Sequence, residues 1–251
     1  MCIRDSLDAI DKLRFLIIPN GRVISPEAAN KIEAFVRAGG WLWLEGDADS
    51  FVQQGFFRYP DERPFVNGLG FEGLGERHSA HEGFTLEYEG GRYQLSVKPG
   101  ELLVPYHVPQ GGSALACAPN DEAIVVMAPY GQGRVICCGQ LLGKTYYHEA
   151  YSDFERLLKA IAGSAGALPA IRVETQLPLQ WRYGTSGEMN LLFLINSSDA
   201  QTVEINLPAV LEGKVSNLAN GEDLPARPAA EGWKLSMDVE RMSYNILCWR
   251  G

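Results

Sequence analysis

No stretch of this 251-residue chain approaches the roughly 20 consecutive apolar residues that cross a bilayer. Met1 to Asp11 carries too much charge for the apolar core of a secretory signal. Neither a membrane span nor an export leader is expected, and the chain reads as a soluble, cytoplasmic protein. Basic clusters are scarce as well. Lys and Arg number 22 against 31 Asp and Glu, giving a net charge of −9 and a pI near 5.0, whereas a phosphate backbone requires grouped cations, so nucleic acid is not expected as a partner. The five cysteines (Cys2, Cys117, Cys137, Cys138 and Cys248) are odd in number and lack C-x-x-C spacing. That excludes a zinc knuckle and a disulfide framework and fits a reducing compartment. No metal and no cofactor is expected.

What is present is material for a packed core, since 46% of the residues are apolar and the length accommodates two medium domains. Met1-Cys2-Ile3-Arg4-Asp5-Ser6 fits no element and resembles translated adaptor sequence at the ends of environmental contigs. Residues 1–12 are therefore read as a non-native leader, with the true N-terminus missing. Leu13 to Ile18 is a continuous apolar run closed by Pro19-Asn20-Gly21, as expected of a strand buried on both faces of a parallel sheet. Ser25-Pro26-Glu27 supplies an N-cap, a proline at N1 and an acidic first turn. Ala28, Ala29, Ile32, Phe35 and Val36 then keep helical spacing up to Gly39-Gly40. Trp41 to Leu44 is the next buried strand, and strand, crossover helix and strand within about 35 residues make a βαβ unit.

Residues 47–112 are rich in Gly, Pro and aromatics, with one hairpin predicted from Phe84–Tyr88 through Gly90-Gly91 into Tyr93–Val97. A second joins Ala123–Met127 to Arg134–Cys138 through Tyr130-Gly131-Gln132-Gly133. Tyr151 to Ala162 reads as a helix with Phe154, Leu157, Leu158 and Ile161 on one face. Gly163 to Gly166 and Pro169 end it, so the α/β domain is placed at 13–167 and a second domain at 168–251. There the period is two, and seven short strands are predicted, at 172–175, 179–183, 190–196, 202–207, 214–218, 233–237 and 243–249: a β-sandwich.

Leu16-Ile17-Ile18-Pro19-Asn20, the helix ending Phe35-Val36-Arg37-Ala38-Gly39-Gly40, and Trp41-Leu42-Trp43-Leu44-Glu45 together resemble the trimerisation domain of family 42 β-galactosidases, itself similar to the class I glutamine amidotransferase (flavodoxin-like) fold. Tyr130 to Ile136 resembles the hairpin before that domain's last helix. Leu191 to Ser198, Leu218-Ala219-Asn220-Gly221-Glu222 and the final apolar strand resemble the small β domain that ends many such glycosidases. The resemblance implies an accessory, oligomer-forming region, with a homotrimer suspected. The parent enzyme would act on carbohydrate by retaining hydrolysis, with both carboxylates on an upstream (β/α)₈ barrel. This chain has no eightfold strand–helix alternation, so no catalytic residue is assigned to it. Amidotransferases place a cysteine after a central strand; here Glu45-Gly46-Asp47-Ala48-Asp49 follows it instead.

Glu45, Asp47 and Asp49 lie just beyond a parallel strand, where open α/β sheets place ligands, and are the candidate ligand-binding residues. The competing reading is a solvated acidic loop in which Asp47 or Ser50 caps the next element. Glu45 with Glu149 or Glu101 is a candidate glycosidase pair, against a reading of ordinary surface acids. His78 and His81 are three apart, but the glycines at 73, 75 and 83 favour a loop over a helical metal site. His107 and His148 sit beside Tyr106 and Tyr147, where a packing role is commoner. Cys137 and Cys138 alternate across a strand, which places one in the core. Gly131-Gln132-Gly133-Arg134 precedes a strand and is turn chemistry, not a phosphate loop. Trp181, Trp233 and Trp249 are candidate sugar-stacking residues, with core packing preferred. Phe56, Phe57 and Tyr59 are the candidate subunit-contact residues. Two rival functions stand beside the accessory region: a free-standing carbohydrate-binding protein, and an amidotransferase-like hydrolase with another nucleophile near His148-Glu149 or after Leu44.

Overall fold

The computed structural model describes residues 7–79, 82–148, 152–168, 171–208, 214–230 and 232–250. The chain divides into two compact units, Met1–Leu168 and Pro169–Gly251. Among the described residues no helix is long and apolar enough to cross a membrane. Residues 1–6 of the leader assigned to residues 1–12, together with His81, Glu149 and Tyr151, lie outside the described residues.

The first unit opens with β1 (Phe15–Ile18), α1 (Pro26–Arg37) and β2 (Trp41–Glu45). The helix begins where its sequence provides a start: Ser25 Oγ accepts from Ala28 N at 3.2 Å and Pro26 occupies the first turn. It ends at Ala38, and Gly39 supplies the positive φ of 109° that turns the chain back into β2. Short elements come next: α2 (Pro64–Gly68), β3 (Glu72–Gly73) and β4 (Arg77–His78). After them lie the hairpin β5 (Gly83–Tyr88) and β6 (Gly91–Ser96), then β7 (Leu102–Leu103) and β8 (Tyr106–His107). The unit closes with β9 (Ser113–Cys117), β10 (Ala123–Tyr130), β11 (Gly133–Cys138), α3 (Leu142–His148) and α4 (Ser152–Ser164).

The main sheet has the order β1-β2-β11-β10-β9. It is parallel through β1, β2 and β11 and antiparallel through the hairpin and β9. Alternation along the strands sorts the core into two faces. Leu42, Leu44, Val135 and Cys137 pack with Ile32, Phe35 and Val36 of α1 and with Phe65 and Val66 of α2. Trp43, Ile136 and Cys138 pack with Leu142 of α3, with Phe154, Leu157 and Ile161 of α4, and with Leu86 and Leu95 of the β5–β6 hairpin. Both adjacent cysteines are therefore core, because the sheet is covered on both sides. Each fully buried aliphatic or aromatic side chain contributes about 1.5–3 kcal/mol, so the apolar run in β2 is what organises this unit.

Two details differ from the sequence expectation. β1 is an edge strand, and Ile17, on the face that carries Trp43, is 40% exposed. The β5–β6 turn is Glu89-Gly90, since Tyr88 pairs with Gly91; both turn residues have positive φ, 48° and 77°, the conformation whose twist matches a two-residue hairpin.

The second unit is a sandwich of two antiparallel sheets. One is β12 (Arg172–Glu174), β15 (Gln201–Leu207), β19 (Gly232–Val239) and β18 (Arg227–Ala229); the other is β13 (Gln180–Ser186), β14 (Met189–Asn196), β20 (Ser243–Arg250), β16 (Lys214–Asn217) and β17 (Glu222–Pro225). Leu192, Leu194, Val203, Ile205, Val215, Leu235, Leu247 and Trp249 fill the space between them. All seven predicted strands are present. The two unpredicted ones, β17 and β18, are sheet edges containing Pro225 and Pro228, and proline in a strand is tolerated there because an edge leaves donors unused.

Gly139, just after β11, meets the chain segment 102–106 at backbone contact distance. A Cβ there would stand 1.8 Å from the Val104 carbonyl oxygen, while Val104 N donates to Gly139 O at 2.9 Å. Gly139→Ala is expected to destabilise the protein by about 3 kcal/mol or more, in the upper range for single substitutions; urea unfolding checks it, and a loss below about 1 kcal/mol would show that the segment yields.

Candidate functional site

The C-terminal ends of β2 and β11 carry the densest polar chemistry in the first unit. Glu45, the last residue of β2, lies on the same face as Trp43 and is 1% exposed. Its carboxylate accepts from Trp43 Nε1 at 3.0 Å and from Gly143 N at 3.0 and 3.2 Å, one contact to each oxygen. No cation pairs with it among the described residues. Burial therefore dominates and pushes its pKa up to about 7, against the lowering effect of the Gly143 and Trp43 hydrogen bonds. Gly143 admits this contact by having no side chain: a Cβ there would lie 3.1 Å from Glu45 Oε2.

Beyond Glu45, Gly46 adopts φ 71°; its N–H donates to Cys138 O at 2.8 Å, and its carbonyl accepts from the buried Tyr106 hydroxyl at 3.0 Å. The turn leads inward. Asp47 and Asp49 are both fully buried, which overturns the picture of a solvated acidic loop. Asp47 forms a two-point ion pair with Arg63, itself 2% exposed, with Arg63 Nη2 to Asp47 Oδ2 at 3.1 Å and a shorter contact from Nη1 to Oδ1. Asp49, in left-handed backbone geometry at φ 57°, pairs with Arg58 through one oxygen and accepts from Phe65 N at 2.9 Å through the other. Burial raises the Asp49 pKa, against the Phe65 hydrogen bond and the Arg58 and Arg63 charges. Capping of α2 falls to Asp49, at its first turn, and not to Ser50, whose buried hydroxyl has no hydrogen-bond partner among the described residues.

Every oxygen of Glu45, Asp47 and Asp49 thus already holds an internal partner, and a ligand would have to displace one. The arginines that complete this arrangement, Arg58 and Arg63, were not singled out from the sequence. They lie 9 and 16 residues from their aspartates in a stretch without periodicity, where no local spacing rule applies. Their pairing pins both ends of the loop between them. The pinned loop is a small hairpin, with Phe51 bridged to Phe57 and Arg58 N donating to Ser50 O at 2.8 Å. It holds Phe56 73%, Phe57 44% and Tyr59 66% exposed, with Phe57 edge-on to both Phe51 and Tyr59.

The remaining candidates sit apart. Glu101 binds Lys144 at 2.9 and 3.0 Å at the surface. His78 is an exposed strand residue whose Nδ1 faces Gly100 O at 2.9 Å. His107 lies in β8 and His148 ends α3, its ring against Tyr147. The hydrogen bond made by His78 goes to a backbone carbonyl, not to a serine or cysteine. Cys138 neighbours Glu45 in the register of β11 and β2, but burial first, then the Glu45 charge, holds its thiol well above the usual range, and burial does the same to Cys137. A thiolate nucleophile is therefore disfavoured at both positions. Gly131-Gln132 is the tight turn between β10 and β11. In the sandwich, Trp249 is 2% exposed with Tyr183 stacked on it, and Trp181 and Trp233 pack against the core. Two shallow depressions mark this unit, one of about 280 Å³ over Leu218 and Cys248 and one of about 520 Å³ along Leu179–Tyr183.

No family model matches the sequence, and no curated protein is similar to it. Solved structures do match. A catalytic mutant of Gan42B, a GH42 β-galactosidase from G. stearothermophilus, has a TM-score of 0.71 at 16% identity over 95% of this chain. A β-galactosidase from Bacillus circulans sp. alkalophilus gives 0.72 at 15% over 94%. The fold is shared with family 42 β-galactosidases. This chain covers 32% and 33% of those two chains, about a third of their length. α-L-Fucosidase isoenzyme 2 from Paenibacillus thiaminolyticus is also similar, with a TM-score of 0.65 at 14% identity over 94% of this chain and 40% of its own. The resemblance read from the order of strand, helix, Gly-Gly and strand therefore holds at the level of fold.

The buried acids lead to two expected outcomes. Arg63→Met strands the Asp47 charge and is expected to cost about 3–5 kcal/mol, most of it regained in the Asp47→Leu/Arg63→Met double variant; a double-mutant cycle in urea reads the coupling. Glu45 binds its proton more tightly folded than unfolded. Its neutral form is therefore favoured below pH 4.5, and that stabilisation is lost as pH rises through about 7. Glu45→Gln is expected to match the parent at pH 4 and to be more stable by about 3 kcal/mol at pH 8, at roughly 1.4 kcal/mol per pKa unit.

Proposed function

We propose that this chain is a non-catalytic accessory region of a glycoside hydrolase resembling family 42 β-galactosidases, and that its first unit makes contacts between copies of the enzyme, in a trimer. The observation that carries the reading is the fold match over nearly the whole chain but only a third of the β-galactosidases. The chemistry at the strand ends agrees with it. Glu45, Asp47 and Asp49 hold a loop in place and have no free oxygen with which to attack a sugar or protonate a leaving group. The hydrolysis itself, by two carboxylates flanking the glycosidic bond, belongs in this reading to a barrel outside this chain.

The contact surface assigned to the first unit is the pinned loop. Large aromatics are enriched at protein interfaces, and Phe56 and Tyr59 stand out on a loop whose ends are locked by buried ion pairs, so little ordering entropy opposes binding there. Half-burial of Trp181 and Trp233 and full burial of Trp249 leave the sandwich without the open tryptophan faces a sugar-binding module uses.

The purified chain is expected to show no turnover of chromogenic β-galactosides; hydrolysis at ordinary enzyme rates of about 1–10³ s⁻¹ would overturn the proposal. Size exclusion with light scattering on the same sample is expected to show self-association that Phe56→Ser/Tyr59→Ser reduces, with stability changed by no more than about 0.5 kcal/mol, as for ordinary surface sites.

A further inference from the structure

The sequence holds three Asn-Gly pairs, at 20–21, 67–68 and 220–221. At such pairs a backbone nitrogen meets the least steric resistance in reaching the asparagine side-chain carbon, because glycine has no Cβ. The structure gives the three unequal surroundings. Asn67 lies in α2, half-buried, with its Nδ2 donating to Pro60 O at 3.0 Å. Asn220 is exposed, but the nitrogen that would attack is engaged: Gly221 N donates to Asn217 O at 2.8 Å. Its side chain also leans on an acid, with Nδ2 donating to Glu222 Oε2 at 2.8 Å while Oδ1 accepts from Glu222 N at 3.1 Å. Asn20 differs on each count. It is exposed in the turn after β1, at a left-handed φ of 53° that asparagine tolerates. Gly21 N has no hydrogen-bond partner among the described residues, and Asn20 Oδ1 accepts from Arg22 Nε at 3.2 Å. Arg22 is itself steadied by Glu76 Oε1, 3.3 Å from its Nη2, and by the Phe51 ring, whose centroid lies 5.9 Å from the guanidinium carbon.

We propose that Asn20 and Gly21 form a self-modifying site at which the asparagine converts spontaneously to aspartate and isoaspartate. Gly21 N loses its proton to solvent and attacks Asn20 Cγ. The new N–Cγ bond leaves negative charge on Oδ1, where the Arg22 guanidinium already donates. The Cγ–Nδ2 bond then breaks, and the nitrogen takes a proton from water and departs as ammonia. Water opens the resulting cyclic imide at either carbonyl. Opening at Cγ gives aspartate; opening at the backbone carbon gives isoaspartate, whose main chain runs through the side chain and is longer by a carbon. Nothing is oxidised or reduced, and the net change is amide plus water to carboxylate plus ammonium. The next two carbonyls support the pinned loop: Gly21 O accepts from Asp49 N and Arg22 O from Phe51 N, both at 2.9 Å. The added carbon displaces both, and the new carboxylate competes with Glu76 for Arg22. The site is thus a clock that loosens the aromatic loop with age, and its chemistry holds whether or not the glycosidase reading does.

The test ages the full chain for days at mildly alkaline pH and follows the three asparagines by peptide mapping with mass spectrometry, separating aspartate from isoaspartate. Asn20 is expected to convert at least about threefold faster than Asn220 or Asn67, since a held amide reacts only through local opening. Arg22→Met is expected to slow conversion at Asn20 by about two- to fivefold, the range for an exposed charged contact. Hydrogen exchange at the Asp49 and Phe51 amides is expected to quicken in the aged protein and to stay at the parent rate in fresh Asn20→Asp, which carries the charge without the extra carbon. Conversion at Asn220 or Asn67 as fast as at Asn20, or an Arg22→Met rate no lower than the parent's, would overturn the proposal. Aged protein whose exchange matches that of fresh Asn20→Asp would overturn the coupling to the loop.

Discussion

The first unit depends on a constraint set by β2: a strand covered on both faces delivers its C-terminal residues into the protein interior, and three of the five residues from its end onward are acids. A carboxylate without water needs partners of equal quality. Asp47 and Asp49 receive arginines, and Glu45 receives two neutral N–H groups and a raised pKa. The consequences spread outward from there. Arg58 and Arg63 fix the two ends of a loop, Asp49 orients α2 through Phe65 N, and Glu45 ties β2 to the start of α3. A position that in other open α/β sheets opens to ligands is here closed and made structural.

That closure also fixes the surface above it. With its ends clamped by buried ion pairs, the loop from Ser50 to Tyr59 presents exposed aromatics on a fixed base. The sandwich makes a similar provision by other means. Its interior is filled from both sheets, yet one outer face is laced with polar cross-strand pairs while the other repeats apolar residues at the same alternating positions. Stability of the sandwich alone does not call for that second apolar layer.

Likeness to β-galactosidases and to a fucosidase at 14–16% identity indicates how little of the sequence such a scaffold dictates. What persists is order and periodicity: a buried βαβ start, a hairpin joining the sheet, closing helices, then short strands of period two. Side chains within that frame are free to be reassigned, and the strand-end acids are one place where the frame constrains position without constraining role.

The sequence by itself determined the elements whose physics is local. Ser25-Pro26 starts α1 because a hydroxyl and a fixed φ suit a helix N-terminus, Gly39 ends it because its φ is positive, and alternating apolar residues mark the seven predicted strands of the sandwich. Tertiary structure alone decided whether Asp47 lies in water or in the core, which arginine it meets 16 residues away, and that Glu45 reaches Gly143 across 98 residues. It also demoted β1 to an edge and made Leu191 to Ile195 an outward as well as an inward apolar surface. The physical reason is common to all of these: burial belongs to layers that assemble from distant segments, and a carboxylate's role is set by what those layers place beside it.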